Sequence, residues 1–244
     1  MIKPLLLTVI FCTFFLNGHA LSEVTLASND SSVIIYKGTI TFEENTKAFA
    51  LYENSSNKPS TLEITSLGGG INAGLQLGEW IVENKLNVSI PKYCLSSCAN
   101  YIFAAGNLKY MGKHAYLIWH GGARQPGLTE LLKANANRAV AQTVSVANRF
   151  TARAKKHKEI DDHIAFIQQR EILFFNNLGI NPNITILGQI FPYRSEYPST
   201  GFSGWDYSMR DLAKLGVKNV LIEDNHWMPN AANQGIHIHR LILK

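Results

Sequence analysis

Hydrophobic and polar positions fall into two alternating textures over the first half of this chain. Val33-Ile34-Ile35-Tyr36, Leu62-Glu63-Ile64-Thr65, Val88-Ser89-Ile90 and Tyr116-Leu117-Ile118-Trp119 are short runs rich in β-branched and aromatic residues, the composition of strands. Helix-length segments separate them. Phe42 to Tyr52 carries Ala and Leu on one side, and Ile71 to Asn84 sets Ile71, Leu75, Leu77, Trp80 and Ile81 at largely helical spacing. Cys98 to Ala105 is Ala-rich and reads as a buried helix. Gly38 follows the first strand, Ser55 to Ser60 is a polar loop, and Pro91 closes the strand that ends at Ile90. Strands alternating with helices predict a layered α/β fold with parallel pairing.

After His120 the texture changes. Leu128 to Asn177 is rich in Ala, Lys, Gln and Glu and holds no Pro or Gly. It predicts two helices, broken near Lys158 to Asp161. Ile184-Thr185-Ile186-Leu187 reads as a strand. Ser208 to Leu215 reads as a short helix, capped by Ser208 and stopped by Gly216, and Val220-Leu221-Ile222 as a last strand. The tail from Asn225 is polar and irregular until Ile236 to Leu243. No repeat or linker divides the chain.

Composition narrows the class. The chain has 244 residues, 46% hydrophobic and 17% charged, which excludes a disordered protein. With Gly at 18 and Cys at 3, it is neither collagen-like nor disulfide-dense. The net charge of +5 (23 basic minus 18 acidic side chains) is mild. The basic cluster Arg153 to Lys158 has no interleaved aromatics, so nucleic acid is not an expected partner. Met1-Ile2-Lys3, the apolar run Leu5 to Leu16, and small Gly18 and Ala20 follow the order of a secretory signal cleaved after Ala20. The run is shorter than the roughly 20 residues of a membrane span. No later stretch would span a bilayer. The expectation is a secreted or periplasmic protein whose mature part, residues 21–244, is one domain with a helical insertion over 123–180. Cys94 and Cys98 then remain in an oxidising compartment, where a local disulfide is one candidate pairing. No His pair sits at metal-site spacing beside them, and no metal or cofactor is expected.

Three segments could carry chemistry. In Ser66-Leu67-Gly68-Gly69-Gly70-Ile71-Asn72-Ala73-Gly74, glycines between a strand and a helix let the backbone turn tightly and bring N–H groups to a ligand. A flexible turn would look the same. In Cys94-Leu95-Ser96-Ser97-Cys98-Ala99-Asn100, a turn with two serines precedes an Ala-rich helix. A hydroxyl there can serve as a nucleophile with an oxyanion N–H beside it, or can simply cap the helix. In Trp119-His120-Gly121-Gly122, a His ends an apolar strand, well placed for a pocket.

Together these segments, with Ala-Ala-Gly at 104–106 and Leu-Ile-Trp-His at 117–120, resemble the Clp protease proteolytic subunit family and its secreted relatives, within the crotonase superfamily. The resemblance covers about residues 33 to 122 and, more loosely, 203 to 222. It implies a layered ββα core with a helical insertion after the strand bearing His120. It also implies a Ser97 nucleophile, a His120 general base 23 residues later, and oxyanion N–H groups on Gly69 and Cys98, with Gly68 adjacent. The third triad member falls nearest Asp206, two residues off register, with Asp161, Asp162 and Glu171 as rivals. A Ser–His dyad without a carboxylate is a further arrangement. Leu67 replaces the family's Pro, and Cys98 the Met that often follows the nucleophile. The implied activity is a serine peptidase or related acyl hydrolase, acting on a peptide or protein as a homo-oligomer. The alternatives are an inactive binding or assembly module on the same core, and an enzyme acting on acyl thioesters.

Overall fold

The β-branched runs build most of a central sheet in the computed structural model, which describes residues 22–195, 203–232 and 235–244. The signal expected over residues 1–20 lies outside the described residues. In chain order the elements are β1 (Glu23–Leu26), β2 (Val33–Lys37), α1 (Phe42–Asn54), β3 (Thr61–Thr65), α2 (Ile71–Glu83), β4 (Asn87–Ile90), β5 (Tyr93–Leu95) and a π-helical turn (Cys98–Phe103). Then follow β6 (Lys109–Met111), β7 (Tyr116–Ile118), α3 (Leu128–Thr143), α4 (Arg149–Leu178), β8 (Gly204–Tyr207), α5 (Met209–Lys214), β9 (Val220–Ile222) and β10 (Ile238–Leu241).

The main sheet runs β1-β2-β3-β4-β6-β9. Only the edge pair β1–β2 is antiparallel, as the alternation of strands and helices requires of the rest. Burial alternates along its strands: Ile34, Tyr36, Leu62, Ile64, Val88 and Ile90 are fully buried, while their neighbours are partly covered. Leu75, Leu77 and Ile81 of α2 and Tyr101 to Phe103 of the π-helical turn belong to the same core. The molecule is a mixed α/β protein with a mostly parallel central sheet.

A smaller layer carries the chemistry-bearing segments. β5 pairs in parallel with β7, and β8 with β10. Single bridges tie these pairs into the fold: Ser66 to Cys94 from the end of β3, and an antiparallel Trp119 to Trp205 between β7 and β8.

Two expectations are corrected. The break in the helical arm falls at residues 144–148, and α4 runs unbroken through Lys158 to Asp161. Charges there stabilise the helix: Lys156 pairs with Glu159 at 2.6 Å, and Lys158 with Asp162 at 2.8 Å. The actual break has two β-branched residues flanking Ser145, poor helix formers, with Val144 extended. Residues 184–187, expected as a strand, fall instead across two 3-10 turns, Pro182–Thr185 and Leu187–Gln189, joined at Ile186. Pro182 at the first position and the Asn181 side chain accepting from the Asn183 N–H start a helical turn instead. Ile184 and Leu187 bury their side chains all the same.

Candidate active site

The register of β5 against β7 places Leu95 opposite Ile118. Two residues further on, one strand delivers Ser97 and its neighbour His120. Adjacent strands lie about 4.8 Å apart, so both residues leave the sheet at the same end. That end, the carboxyl edge of parallel strands, is where open α/β sheets bind ligands. The Ser96 N–H donates to the Ile118 carbonyl at 2.8 Å and fastens the serine turn to β7.

The turn itself is strained. Ser96 adopts φ +55°, a left-handed conformation that costs an L-residue about 1–2 kcal/mol. Such a residue persists only where its surroundings over-determine it. Here they do so covalently. Cys94 and Cys98, both fully buried, form a disulfide across the turn with Cα atoms 5.1 Å apart. The Asn100 N–H also closes onto the Ser96 carbonyl at 2.8 Å. Ser97, itself buried, begins the helical turn without capping it. Its hydroxyl donates to the Gly69 carbonyl at 2.8 Å.

The glycine loop explains that approach. Gly68 has φ +99°, and a Cβ there would stand 2.7 Å from the Leu95 carbonyl oxygen and 2.7 Å from Ser96 Cβ. A Cβ on Gly69 would run into the Ile40 carbonyl. Only glycine lets this loop press against the serine turn on one side and Ile40 on the other. The Ile40 N–H holds the Gly68 carbonyl at 2.9 Å. In a trans peptide the Gly69 N–H then points away from Ile40. Neither it nor the Cys98 N–H meets an acceptor among the described residues. Two free N–H groups thus flank Ser97, although Gly69 presently offers the serine its carbonyl.

His120 is exposed, yet desolvation by the surrounding protein lowers its pKa below the ordinary histidine value. Its carbonyl accepts from Gln189 Nε2 at 2.9 Å, and the Gly121 carbonyl from Asn100 Nδ2 at 2.8 Å. The Ser97 hydroxyl is turned to Gly69 and makes no hydrogen bond to His120.

Asp206, expected as the third triad member, is bound by a cation. In register with Arg240 on β10, Asp206 receives Arg240 Nε at 2.5 Å and Nη2 at 2.8 Å, one on each carboxylate oxygen. Burial raises its pKa and the Arg240 charge opposes the rise. Both oxygens face the cation rather than His120, because strand pairing and not sequence proximity chose the partner. Asp161 and Asp162 lie in ion pairs on the arm, with Lys133 and Lys158. Glu171 behaves differently. It is wholly buried, accepts from the Tyr101 hydroxyl at 2.6 Å and the Ala123 N–H at 3.0 Å, and lies 3.4 Å from Arg124 Nε. Sequence reasoning passed over Asn100, Tyr101 and Gln189, which hold the loop after His120. The spacing of Asn100 and Tyr101, three and four residues past Ser97, marks them for its helix; nothing local marks Gln189.

Among the described residues no helix is long and apolar enough to cross a membrane, and no group of three or more metal-ligating side chains occurs. A scan against protein-family models and a search of curated proteins each return no match. The functional reading therefore rests on the geometry of the serine turn, the glycine loop and the histidine strand.

Proposed function

We propose that the protein is a secreted or periplasmic serine hydrolase similar to the Clp proteolytic subunit, with a crotonase-like core, that cleaves a peptide or related acyl bond through Ser97 and His120. The observation that carries this reading is the β5–β7 register, which brings Ser97, on a disulfide-held turn strained at Ser96, and His120 to one end of neighbouring strands. The buried disulfide supports an oxidising compartment. Exposed Phe166 and Leu173, seven residues apart on one face of α4, supply an apolar surface for a homo-oligomer.

The reaction follows from the groups present. Ser97 turns from the Gly69 carbonyl by a rotation of χ1, and His120, neutral at pH 7 because its pKa is lowered, takes the hydroxyl proton. The oxygen attacks the carbonyl carbon. The Gly69 and Cys98 N–H groups receive the developing oxyanion, and the imidazolium returns its proton to the leaving amine. Water then repeats the sequence on the acyl enzyme. With Asp206 held by Arg240, the pair acts as a dyad.

Fluorophosphonate labelling of the mature protein tests this beside Ser97→Ala, His120→Ala and Asp206→Asn. Labelling should vanish in the first, fall steeply in the second and stay within about threefold in the third. A loss near 10⁴-fold in Asp206→Asn is the signature of a triad acid and would restore that role. One observation favours a second reading, a binding or assembly module: the serine hydroxyl is bound to Gly69 and not to a base. Folded protein that never labels, in any oligomeric state, selects that reading.

A further inference from the structure

Of the eight buried side-chain atoms that lack a hydrogen-bond partner among the described residues, seven surround one short segment, residues 119–124. Trp119 Nε1, Arg124 Nε and Arg124 Nη2 belong to it. Asn100 Oδ1, Gln189 Oε1, Glu171 Oε2 and Thr185 Oγ1 belong to side chains that hold it or press on it. Buried polar groups are ordinarily paired. Arg124 Nε and Glu171 Oε2 meet each other as an ion pair at 3.4 Å; the other five, without a partner among the described residues, mark a loop secured by fewer bonds than its surroundings offer, so each bond it does make weighs more.

Glu171 makes the most consequential of these. One oxygen, Oε1, receives both the Ala123 N–H, three residues after His120, and the Tyr101 hydroxyl, four residues after Ser97. Its own backbone belongs to α4, in the arm. Burial, with the Glu171 charge beside it, pushes the Tyr101 pKa well above its ordinary value, so this hydroxyl remains a donor. The fold makes room for the carboxylate at a cost. Gly122 lies where any Cβ would collide with Glu171 Oε1 and stand 2.8 Å from Thr185 Oγ1. A wholly buried carboxylate is expensive unless its bonds are needed. A mere core filler would be served as well by an apolar side chain.

We propose that Glu171 is the positioning residue of this site: by gathering the His120 loop and the Ser97 helix onto one carboxylate oxygen, it makes their alignment depend on the seating of the helical arm. The proposal rests on the hydrolase reading for its kinetic consequence, but its structural content can be read without turnover. Glu171 touches no reacting atom. It acts on the backbone that carries His120.

The test compares the full mature chain with Glu171→Ala, Glu171→Gln and Tyr101→Phe by two readouts. The first is the fluorophosphonate labelling rate per titrated site. A one-ångström misplacement can cost about 10²-fold, and that loss is expected for Glu171→Ala at unchanged labelling stoichiometry. Glu171→Gln keeps an oxygen for the Ala123 N–H and should retain activity to within about tenfold, since a charged acceptor is only about twice as strong as a neutral one. The second readout is the NMR titration of the His120 ring, assigned with His120→Gln. It should move in Glu171→Ala and in Tyr101→Phe, which keeps the ring packing and is expected to fold. A lower stoichiometry at a wild-type rate per site would mean a purely structural role and would overturn the proposal. So would an unmoved His120 titration in Tyr101→Phe and Glu171→Ala together. Wild-type protein that never labels would sink the hydrolase reading, while the His120 titration would still decide whether Glu171 positions the loop.

Discussion

Removing the Cys94–Cys98 bridge separates the support of catalysis from the support of the fold. The two cysteines are four positions apart. For so short a loop, the chain-entropy relation assigns about 2 kcal/mol of stabilisation at 25 °C. At about 2–4 °C per kcal/mol for a chain of this size, the midpoint of thermal unfolding should fall by about 4–8 °C. Both sulfurs are fully buried, so the small cavities left by Cys94→Ala with Cys98→Ala move the loss toward the upper end. The serine turn should lose more. The bridge holds Ser96 at φ +55°, and relaxation of that residue, worth about 1–2 kcal/mol, carries the Cys98 N–H away from Ser97. A lost oxyanion donor costs about 2.7–4 kcal/mol, or about 10²–10³ in rate. The double variant should therefore remain folded at 25 °C yet label with fluorophosphonate about 10²-fold more slowly per folded molecule. Intact-mass kinetics measure the rate, and a circular-dichroism melt measures the fold. A rate within threefold of wild type, far below the variant's melting point, would refute the claim that the disulfide clamps a working serine.

Three further outcomes follow from the same geometry. Because desolvation lowers the His120 pKa, the imidazole stays neutral until the pH falls below its ordinary value of about 6.5; the acid limb of the labelling rate should therefore lie below that pH, and a limb above it would remove His120 as the base. Gly74→Ala gains about 1 kcal/mol of helix propensity, but its Cβ would lie 2.6 Å from Tyr101 Cδ2 and 2.9 Å from Ser97 Cβ. Overpacking costs about 1–3 kcal/mol, so urea titration should show net destabilisation and labelling should slow; a stabilised, fully active variant would contradict this packing. Lys109 is buried with, among the described residues, only the Gly106 and Lys218 carbonyls as partners, and desolvation lowers its pKa to about 8. Between pH 8 and the unfolded value near 10.4 the unfolded chain binds the extra proton, so stability should rise with pH, by up to about 3 kcal/mol. Lys109→Gln should flatten that slope in urea melts at pH 7.5 to 9.5, and an unchanged slope would mean another group sets it.

Legibility followed the range of the forces involved. β2, β3, β4, β7 and β9 were readable because β-branched and aromatic runs favour the extended chain wherever they are placed. α1, α2 and α5 were readable from periodicity and from caps within one turn, such as Ser208 accepting from the Asp211 N–H at 3.0 Å. β1, β5, β6 and β8 are three or four residues long and owe their conformation to the strands beside them. Residues 184–187 show the limit: an apolar run is buried in either conformation, and Pro182 decided which one formed.

The site divides along the same line. The sequence by itself determined that glycines, a serine turn between two cysteines and a strand-ending histidine follow one another in order, because each is a local backbone requirement. It also determined the layered α/β class and a long helical segment after His120. Only the tertiary structure decided which groups meet. It set Ser97 beside the His120 strand through a parallel register, closed the disulfide, and turned the serine hydroxyl onto Gly69. It gave Asp206 to Arg240, 34 residues away, and brought Glu171 to Tyr101 across 70. No local propensity reaches over such separations. Those partners are chosen when strands pair and helices pack, as each buried charge takes up the nearest group that can satisfy it.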